Sequence, residues 1–186
     1  MGSVHPLSLI LVLGSAGSGK TTFAQHLVPE LGCVYLDSDT ISEPAFPGDR
    51  DSPAYLNARP TIYRTLYDIA FANLKLGNSV LIDAPHVGQI SDAEWRAWVM
   101  AEAQTVGARL RVIHCLADQA TRRSRLAFRG EERDAAKLAN WVEYIGSEPF
   151  RSPVPLPHIE IDTGKDMQRN AALAWDYLCG AQDSGS

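Results

Sequence analysis

An α/β fold built on a parallel sheet is the fold class that the sequence predicts, and three observations support it. Short aliphatic or β-branched runs alternate with longer stretches of helical periodicity, which is the pattern of successive βαβ units. The short runs are mostly apolar, as expected of strands that are covered on both faces. The chain has 186 residues, 45% of them hydrophobic, which is enough to bury one sizeable core. We therefore expect a single domain over residues 1–186, with its core at about 8–178.

Five strands and six helices alternate in this pattern. The strands are expected at residues 9–13, 33–36, 79–82, 110–115 and 158–161. The helices are expected at about residues 20–28, 54–76, 92–103, 119–128, 132–145 and 166–178. Ser91 followed by Glu94 has the spacing of a capping box at the start of the third helix. Two proline-rich stretches, 42–60 and 149–157, show neither pattern, and the first is expected to be functional because it follows the second strand.

The net charge and the hydropathy of the chain limit which partners it can bind and in which cellular compartment it is expected. The chain carries 17 basic and 22 acidic residues, a net charge of −5, so its bulk charge does not attract phosphate backbones or anionic lipid. A nucleic-acid partner is therefore not favoured, although a local basic site could still bind one. No run reaches the ~20 apolar residues of a membrane span, and the apolar run at 7–13 lacks the basic flank of a signal peptide. Together with three cysteines that share no metal-like spacing, these features predict a cytoplasmic protein without a membrane partner, either a monomer or a homodimer.

The segment 14–21 matches the phosphate-binding motif G-x-x-x-x-G-K-[ST], which by chance is roughly a one in a hundred event in such a chain. A predicted strand precedes it and a predicted helix follows it, so backbone N–H groups and the helix N-terminus converge on phosphate. Lys20 is expected to bind the β- and γ-phosphates of ATP, and the Thr21 hydroxyl to ligate Mg²⁺. ATP and Mg²⁺ are thus the predicted cofactors. The nucleotide-binding residues predicted in this segment are Gly14, Ser15, Ala16, Gly17, Ser18, Gly19, Lys20, Thr21 and Thr22.

Carboxylates follow the second and third strands at the same edge of the predicted sheet. A phosphoryl acceptor needs a carboxylate that takes the proton of its hydroxyl, and Asp39 is expected to be this residue. Asp37 is expected near Mg²⁺ and the acceptor; an Asx-turn that caps a helix is the alternative for both residues. Asp83 ends a buried strand, as a Walker B acid does, and is predicted to hold a metal-bound water or to contact the acceptor, with a local turn as the alternative.

Two further residues are candidates for contact with the acceptor. His86 lies three residues after Asp83 and could bind the acceptor, although a lone histidine in a loop is more often structural. Arg59 lies beside the proline-rich stretch 42–60 and favours an anionic acceptor.

Five of the thirteen arginines lie between residues 122 and 133. Such clustering is unexpected in an acidic chain and indicates a specific role. Arg122, Arg125 and Arg129 share one helical face, and Gly130 permits a hinge after them. We predict a helical lid at about residues 122–147 that closes over the phosphates. In this lid, Arg129 and Arg133 are expected to be catalytic and Arg125 to bind nucleotide. The alternative is a solvated helix whose arginines pair with acidic residues, namely Glu131, Glu132 and Asp134.

These motifs together resemble the P-loop kinases of the nucleoside-monophosphate-kinase-like group. The likeness spans about residues 9–178 and is greatest to the branch that holds gluconate-kinase-like, zeta-toxin-like and polynucleotide-kinase-like proteins. It implies a P-loop NTPase three-layer sandwich, a five-stranded parallel sheet in the order 2-3-1-4-5 and an arginine-bearing helical lid. It also implies that Asp39 contacts the acceptor hydroxyl and that the loop beginning at Thr163 lies near the adenine.

Three functions are compatible with this sequence. The first is an ATP-dependent kinase that phosphorylates a hydroxyl of a small molecule. The second is a kinase with a larger acceptor, such as a polynucleotide 5′-hydroxyl or a nucleotide-sugar. The third is a nucleotide-binding switch with little phosphotransfer, but the chain has no Asn-Lys-x-Asp guanine motif and a switch does not require the pair Asp37 and Asp39.

Overall fold

Five parallel strands form the sheet, in the order β2-β3-β1-β4-β5. A computed structural model describes residues 6–46, 52–147 and 154–180 of the chain. The predicted strand order is confirmed, and each strand lies within two residues of its predicted bounds. The strands are β1 (Ser8–Leu13), β2 (Val34–Asp37), β3 (Val80–Asp83), β4 (Arg109–Leu116) and β5 (Ile159–Asp162).

Helices connect successive strands and cover both faces of the sheet. The predicted three-layer sandwich is confirmed. In the described ranges the helices are α1 (Lys20–Leu31), α2 (Ser38–Ser42), α3 (Pro53–Lys75), α4 (Val87–Ser91), α5 (Ala93–Thr105), α6 (Gln119–Arg129), α7 (Glu132–Ala139), α8 (Trp141–Gly146) and α9 (Met167–Cys179).

The strand β1 is buried along its whole length, and its side chains alternate between two apolar clusters. Leu9 and Leu11 face one cluster, to which α3 contributes Tyr67 and α5 contributes Val99. Ile10 faces the other cluster, which residues of α1 and α9 complete. Because β1 pairs with β3 on one side and β4 on the other, it holds the carboxyl ends of these strands at one edge of the sheet.

The carboxyl edge of the sheet collects the segments that carry the predicted site. Asp37, at the end of β2, is in register with Asp83 at the end of β3. The neighbouring strand β1 ends at Leu13, directly before the phosphate-binding segment, and Leu116 of β4 is in register with Asp162 of β5. The parallel register therefore brings the ends of all five strands to one edge.

Two predictions of local structure are wrong. The helix expected at 132–145 is two helices, because Asn140 leaves the helical conformation with φ −114° and ψ 43°. The capping box does not form, because α4 continues through Ser91 and the extended Asp92 caps α5 instead, accepting from Glu94 N and Trp95 N. The stretch 42–60 starts at the last residue of α2 and ends inside α3, which begins at Pro53, one residue before the predicted start. Its middle, 47–51, and most of the stretch 149–157 lie outside the described residues.

Two further features concern membrane-spanning helices and the cysteines. In the part of the chain that the structure describes, no helix has both the length and the apolar character to cross a bilayer. The three cysteines Cys33, Cys115 and Cys179 are free thiols.

The cap of α5 yields a stability test. Asp92→Ala removes the carboxylate that accepts from two backbone N–H groups at 2.8 and 3.3 Å, and we expect it to lower the free energy of unfolding by about 1 kcal/mol. Asp92→Asn, which keeps a capping oxygen, should retain most of the stability. Urea unfolding measures both. Equal stability of the two variants would contradict the assignment of Asp92 as the cap.

Candidate nucleotide-binding and phosphoryl-transfer site

The phosphate-binding segment 14–19 is a tight loop between β1 and α1 that leaves no room for side chains at its glycines. Gly17 and Gly19 both adopt left-handed conformations, with φ 76° and 80°. A Cβ on Gly17 would lie 2.7 Å from the carbonyl oxygen of Arg122, and one on Gly19 would lie 2.8 Å from Thr163 Oγ1. Gly19 is also the N-cap of α1, so Lys20 opens the helix and the N–H groups of its first turn face the loop.

Two arginines of the predicted lid bind the backbone of this loop. Arg122 Nε donates to the carbonyl of Ala16 at 3.1 Å, and Arg125 Nη1 donates to that of Gly17 at 3.3 Å. Arg122 is buried, with Trp141 and Tyr144 of α8 centred 5.7 and 5.9 Å from its guanidinium. The helix α6 therefore supports the phosphate loop, and its aromatic contacts link the loop to α8.

Thr163 joins the same network from the end of β5. Its hydroxyl donates to the carbonyl of Ser18 at 2.6 Å, and Arg125 donates both to its hydroxyl at 2.8 Å and to its carbonyl at 2.9 Å. A cavity of about 310 Å³ lies between the phosphate loop, these residues and Met167. Thr22, the last predicted residue of the loop segment, and Arg129 also line it. Its volume is in the range of small-molecule sites.

Asp83 lies buried beneath the first turn of α1. Its Oδ2 accepts from the Tyr35 hydroxyl at 3.0 Å, whereas Oδ1 has no hydrogen-bond partner among the described residues. Burial raises the pKa of Asp83, while the charge of Lys20 and the nearby Thr21 hydroxyl act in the opposite direction. A buried carboxylate oxygen without a donor, beside a threonine hydroxyl, fits Mg²⁺ or a water bound to it, because Mg²⁺ prefers oxygen ligands.

Asp37 and Asp39 adopt different roles although they are two residues apart. Asp37 caps α2, since its Oδ1 accepts from Asp39 N at 2.9 Å and its Oδ2 from the Thr40 hydroxyl at 3.1 Å. This is the cap that the sequence left open as the alternative. Asp39 instead extends from α2 toward the lid, where Arg133 Nη1 donates to its Oδ2 at 2.5 Å.

Arg133 is the centre of a charge cluster between α2 and α7. Its guanidinium also lies 3.4 Å from Glu43 Oε1 and contacts Glu131. Burial alone would lower the pKa of Arg133, but Asp39 and the two glutamates raise it. The cluster fixes the lid to the helix that carries Asp39.

Arg129 makes the acidic contacts that the sequence gave as the alternative to a catalytic role. Its Nε donates to Asp134 at 3.0 Å and lies 3.6 Å from Glu131. Asp134 is buried, and although burial alone would raise its pKa, hydrogen bonds from Arg129 and Lys137 lower it overall. Gly130 ends α6 as a left-handed C-cap with φ 66°, and the hinge predicted there stays a prediction.

The two remaining acceptor candidates lie on the side of α3. His86 is 0% exposed, so the structure places it in the core and not at a surface where an acceptor could reach it. Its Nδ1 is 3.1 Å from the Tyr67 hydroxyl, and burial lowers its pKa to about 3, which leaves the ring neutral. Arg59, in contrast, is half-buried, with its guanidinium 5.9 Å from the ring centre of Tyr63.

Sequence reasoning missed Tyr35 and the acidic partner Glu43. A signal existed for Tyr35, because it precedes Asp37 by two residues and alternate residues of a strand share a face. For Glu43 there was none, since its contact with Arg133 joins residues ninety positions apart in the chain.

The fold and the loop together define the class of protein. A strand, a glycine loop with Lys20 and a helix N-terminus at the edge of a parallel sheet constitute a P-loop nucleotide-binding domain. A family model described as an AAA domain matches residues 9–146, and the chain therefore belongs to this AAA domain family. No curated protein sequence matches the chain.

Solved structures of the same fold include several kinases. A protein of Chloroflexus aurantiacus J-10-fl that is provisionally described as a kinase has 24% identity and a TM-score of 0.68, over 93% of this chain and 99% of its own. A sugar kinase of Janibacter sp. HTCC2649 has 19% identity and a TM-score of 0.66, over 93% and 95%. The APS kinase CysC of Mycobacterium tuberculosis, solved with AMPPNP and APS, has 21% identity and a TM-score of 0.58, over 93% and 98%. The predicted resemblance to P-loop kinases is thus confirmed for the fold.

The close approach at Gly17 can be tested against a glycine in open space. Gly17→Ala forces a Cβ against the Arg122 carbonyl and should weaken the binding of MgATP roughly tenfold or more, because the loop must shift. Gly32→Ala carries the same kind of backbone strain, about 1 kcal/mol, but has no atom within 4 Å of the new Cβ and should bind MgATP normally. Calorimetric titration decides. Wild-type affinity in a folded Gly17→Ala protein would contradict the assigned loop geometry.

The raised pKa of Asp83 gives a prediction with a definite sign. The folded protein holds this proton more tightly than the unfolded chain, so the group contributes more stability as pH falls and costs stability above its folded pKa. Asp83→Asn should therefore unfold at a higher urea concentration than the wild type at about pH 8, with a difference that shrinks at acidic pH as the wild-type carboxylate takes up its proton.

Asp68→Asn is the control for this pH comparison. Asp68 is an exposed carboxylate of α3 paired with Arg64, and its removal should change stability by less than about 1 kcal/mol at either pH. A destabilised Asp83→Asn protein at the higher pH would refute the assigned penalty.

Proposed function

We propose that this protein is a Mg²⁺-dependent kinase that transfers the γ-phosphate of ATP to a hydroxyl of a small molecule in the cytoplasm. One observation supports this proposal above the others. Two carboxylates at the same sheet edge have opposite environments: Asp83 is buried beneath Lys20 and Thr21, whereas the Asp39 side chain is 42% exposed and bound by a lid arginine. Such a pair suits a division between metal binding and proton transfer, which phosphoryl transfer requires.

The nucleotide would bind along the phosphate loop. The N–H groups at the start of α1 and the ammonium of Lys20 would hold the β- and γ-phosphates. Arg125 and Thr163 would keep the loop in place beside the cavity in which the nucleoside fits. Thr21 and Asp83 are the residues that would hold Mg²⁺, which when bound neutralises charge on the β- and γ-phosphate oxygens.

In the proposed transfer step, Asp39 takes the proton of the acceptor hydroxyl. The acceptor oxygen forms a bond to the γ-phosphorus as the bond between that phosphorus and the β–γ bridging oxygen breaks, and ADP leaves. Asp39 accepts the hydroxyl proton during this step and later releases it to water. Arg133 positions the Asp39 carboxylate in the protein without ligand. When the γ-phosphate and the acceptor are bound, Arg129, which lines the cavity at the phosphate loop, and Arg133, which contacts Asp39, would turn toward the transferring group.

The acceptor is proposed to be a small anionic molecule. Arg59 lies near the ring of Tyr63 on α3, and α3 contacts α2, the helix that carries Asp39. A guanidinium at this position suits a carboxylate, phosphate or sulfate at the far end of the acceptor. The fold neighbours named as sugar kinase and APS kinase support a small acceptor. No contact of the described residues favours a polynucleotide.

The role of Asp39 is tested by comparing two carboxylates that both contact Arg133. Asp39→Asn should reduce acceptor-dependent ADP release about a hundredfold or more while MgATP affinity stays within roughly twofold. Glu43→Gln removes the other carboxylate, 3.4 Å from Arg133, and should retain most of the activity. The assay is ADP release with a mixture of sugars, sugar acids, nucleosides and nucleotide-sugars.

Two results would count against the proposal. If Asp39→Asn and Glu43→Gln lose activity equally, the carboxylates act only by holding the lid. If Asp39→Asn changes neither turnover nor affinity, the switch function is favoured over the kinase.

A further inference from the structure

Three potential metal ligands meet where β4 pairs with β5. None of them belongs to the proposed ATP site. They are His114, His158 and Glu160, and one ligand atom from each lies within 4.8 Å of the others. His114 and Glu160 are directly opposite each other in the parallel register. His158 precedes Glu160 by two residues, and the alternation of extended chain places both on the same side.

We propose that His114, His158 and Glu160 form a binding site for Zn²⁺ or a similar first-row transition metal. Two imidazoles and one carboxylate are a donor set that zinc sites use, with a fourth position for water. Imidazole suits Zn²⁺, Co²⁺ and Ni²⁺, whereas Mg²⁺ prefers oxygen ligands alone. The site would therefore be chemically distinct from the Mg²⁺ site at the phosphate loop, and it does not depend on the proposed kinase activity.

His158 makes the backbone contact that is typical of a metal-binding histidine. Its Nδ1 is 2.8 Å from the carbonyl oxygen of Leu156, so Nδ1–H donates to this carbonyl and Nε2 carries the lone pair. Nε2 faces Glu160, with 4.0 Å between it and Oε1. A backbone carbonyl that fixes the tautomer and orientation in this way is the usual outer partner of a metal-binding histidine.

The three residues differ in burial, so their side chains differ in how freely they can move. His114 is buried on β4, and its ring centre lies 6.0 Å from that of His158 in an edge-on arrangement. Burial lowers the pKa of His114, which keeps the ring neutral and able to donate a lone pair. The Glu160 side chain is 63% exposed, so it can rotate and a metal can enter from that side.

The separation between the ligand atoms is close to what a zinc ion needs. With bonds of about 2.0–2.1 Å, tetrahedral ligands are about 3.3 Å apart. The present separations of up to 4.8 Å can contract to this value by rotation of the exposed carboxylate and a slight tilt of the His158 ring that keeps its hydrogen bond to Leu156. Neither movement requires a change in the sheet.

Calorimetry and cobalt spectroscopy on the full chain test the site. With nucleotide absent and thiols reduced, we expect one Zn²⁺ per chain, and Co²⁺ should give the visible absorption bands of a tetrahedral nitrogen and oxygen site. His158→Gln and Glu160→Gln should each weaken binding about tenfold or more. Neither substitution alters a buried side chain, so both proteins are expected to fold.

His26→Gln is the matched control, because His26 is a half-buried histidine of α1 that is outside the cluster. This variant should bind Zn²⁺ like the wild type. The proposal is overturned if the wild type binds no Zn²⁺, or if His158→Gln and Glu160→Gln bind it as well as His26→Gln does. It is also overturned if the Co²⁺ spectrum shows the intense sulfur charge-transfer band of cysteine ligation.

Discussion

The contact between the α6 arginines and the backbone of the phosphate loop is the interaction on which the proposed site depends. Arg122 and Arg125 donate to the carbonyls of Ala16 and Gly17, and Arg125 extends the network to Thr163. With these carbonyls bound by the arginines, the loop is held in one conformation, and its N–H groups can serve a phosphate ligand. A phosphate cradle thus acquires its shape from a helix that lies more than a hundred residues later in the chain.

The same contact explains how the lid is attached. Its first helix, α6, is fixed to the loop, while α7 is joined to α2 through Arg133 and Asp39. Gly130 lies between these two attachments and is left-handed. The lid therefore has one fixed end beside the nucleotide cavity and one end held by charges that a bound phosphate would compete for. In the proposed kinase, lid position and the availability of Asp39 would be coupled in this way.

The chemistry of the strand ends was the part of the site that could be predicted from sequence. The phosphate loop is a local motif, and the acids at positions 37 and 83 follow apolar runs that fix their place at the sheet edge. Long-range pairings were not accessible in this way. The bond between Arg133 and Asp39, and the burial of His86 behind Tyr67, depend on how helices pack and have no sequence signal of their own.

The prediction of helix bounds was wrong where two helical patterns follow each other without a break. The periodicity of 132–145 continues through Asn140, so a single helix was expected although the backbone turns there. Ser91 and Asp92 offered competing caps at the start of α5, and Asp92 is the cap because α4 continues through Ser91. Strand order, in contrast, came from the resemblance to P-loop kinases and was confirmed.

The most direct test of the kinase assignment follows the γ-phosphate itself. The protein is incubated with Mg²⁺, ATP labelled at the γ-phosphate and a mixture of anionic and neutral hydroxyl compounds, with Lys20→Ala as the blank. The account predicts that the label appears in a phosphorylated organic product only when Lys20 is present. Label found only in inorganic phosphate, or retained in ATP although the wild type binds it, would contradict a kinase.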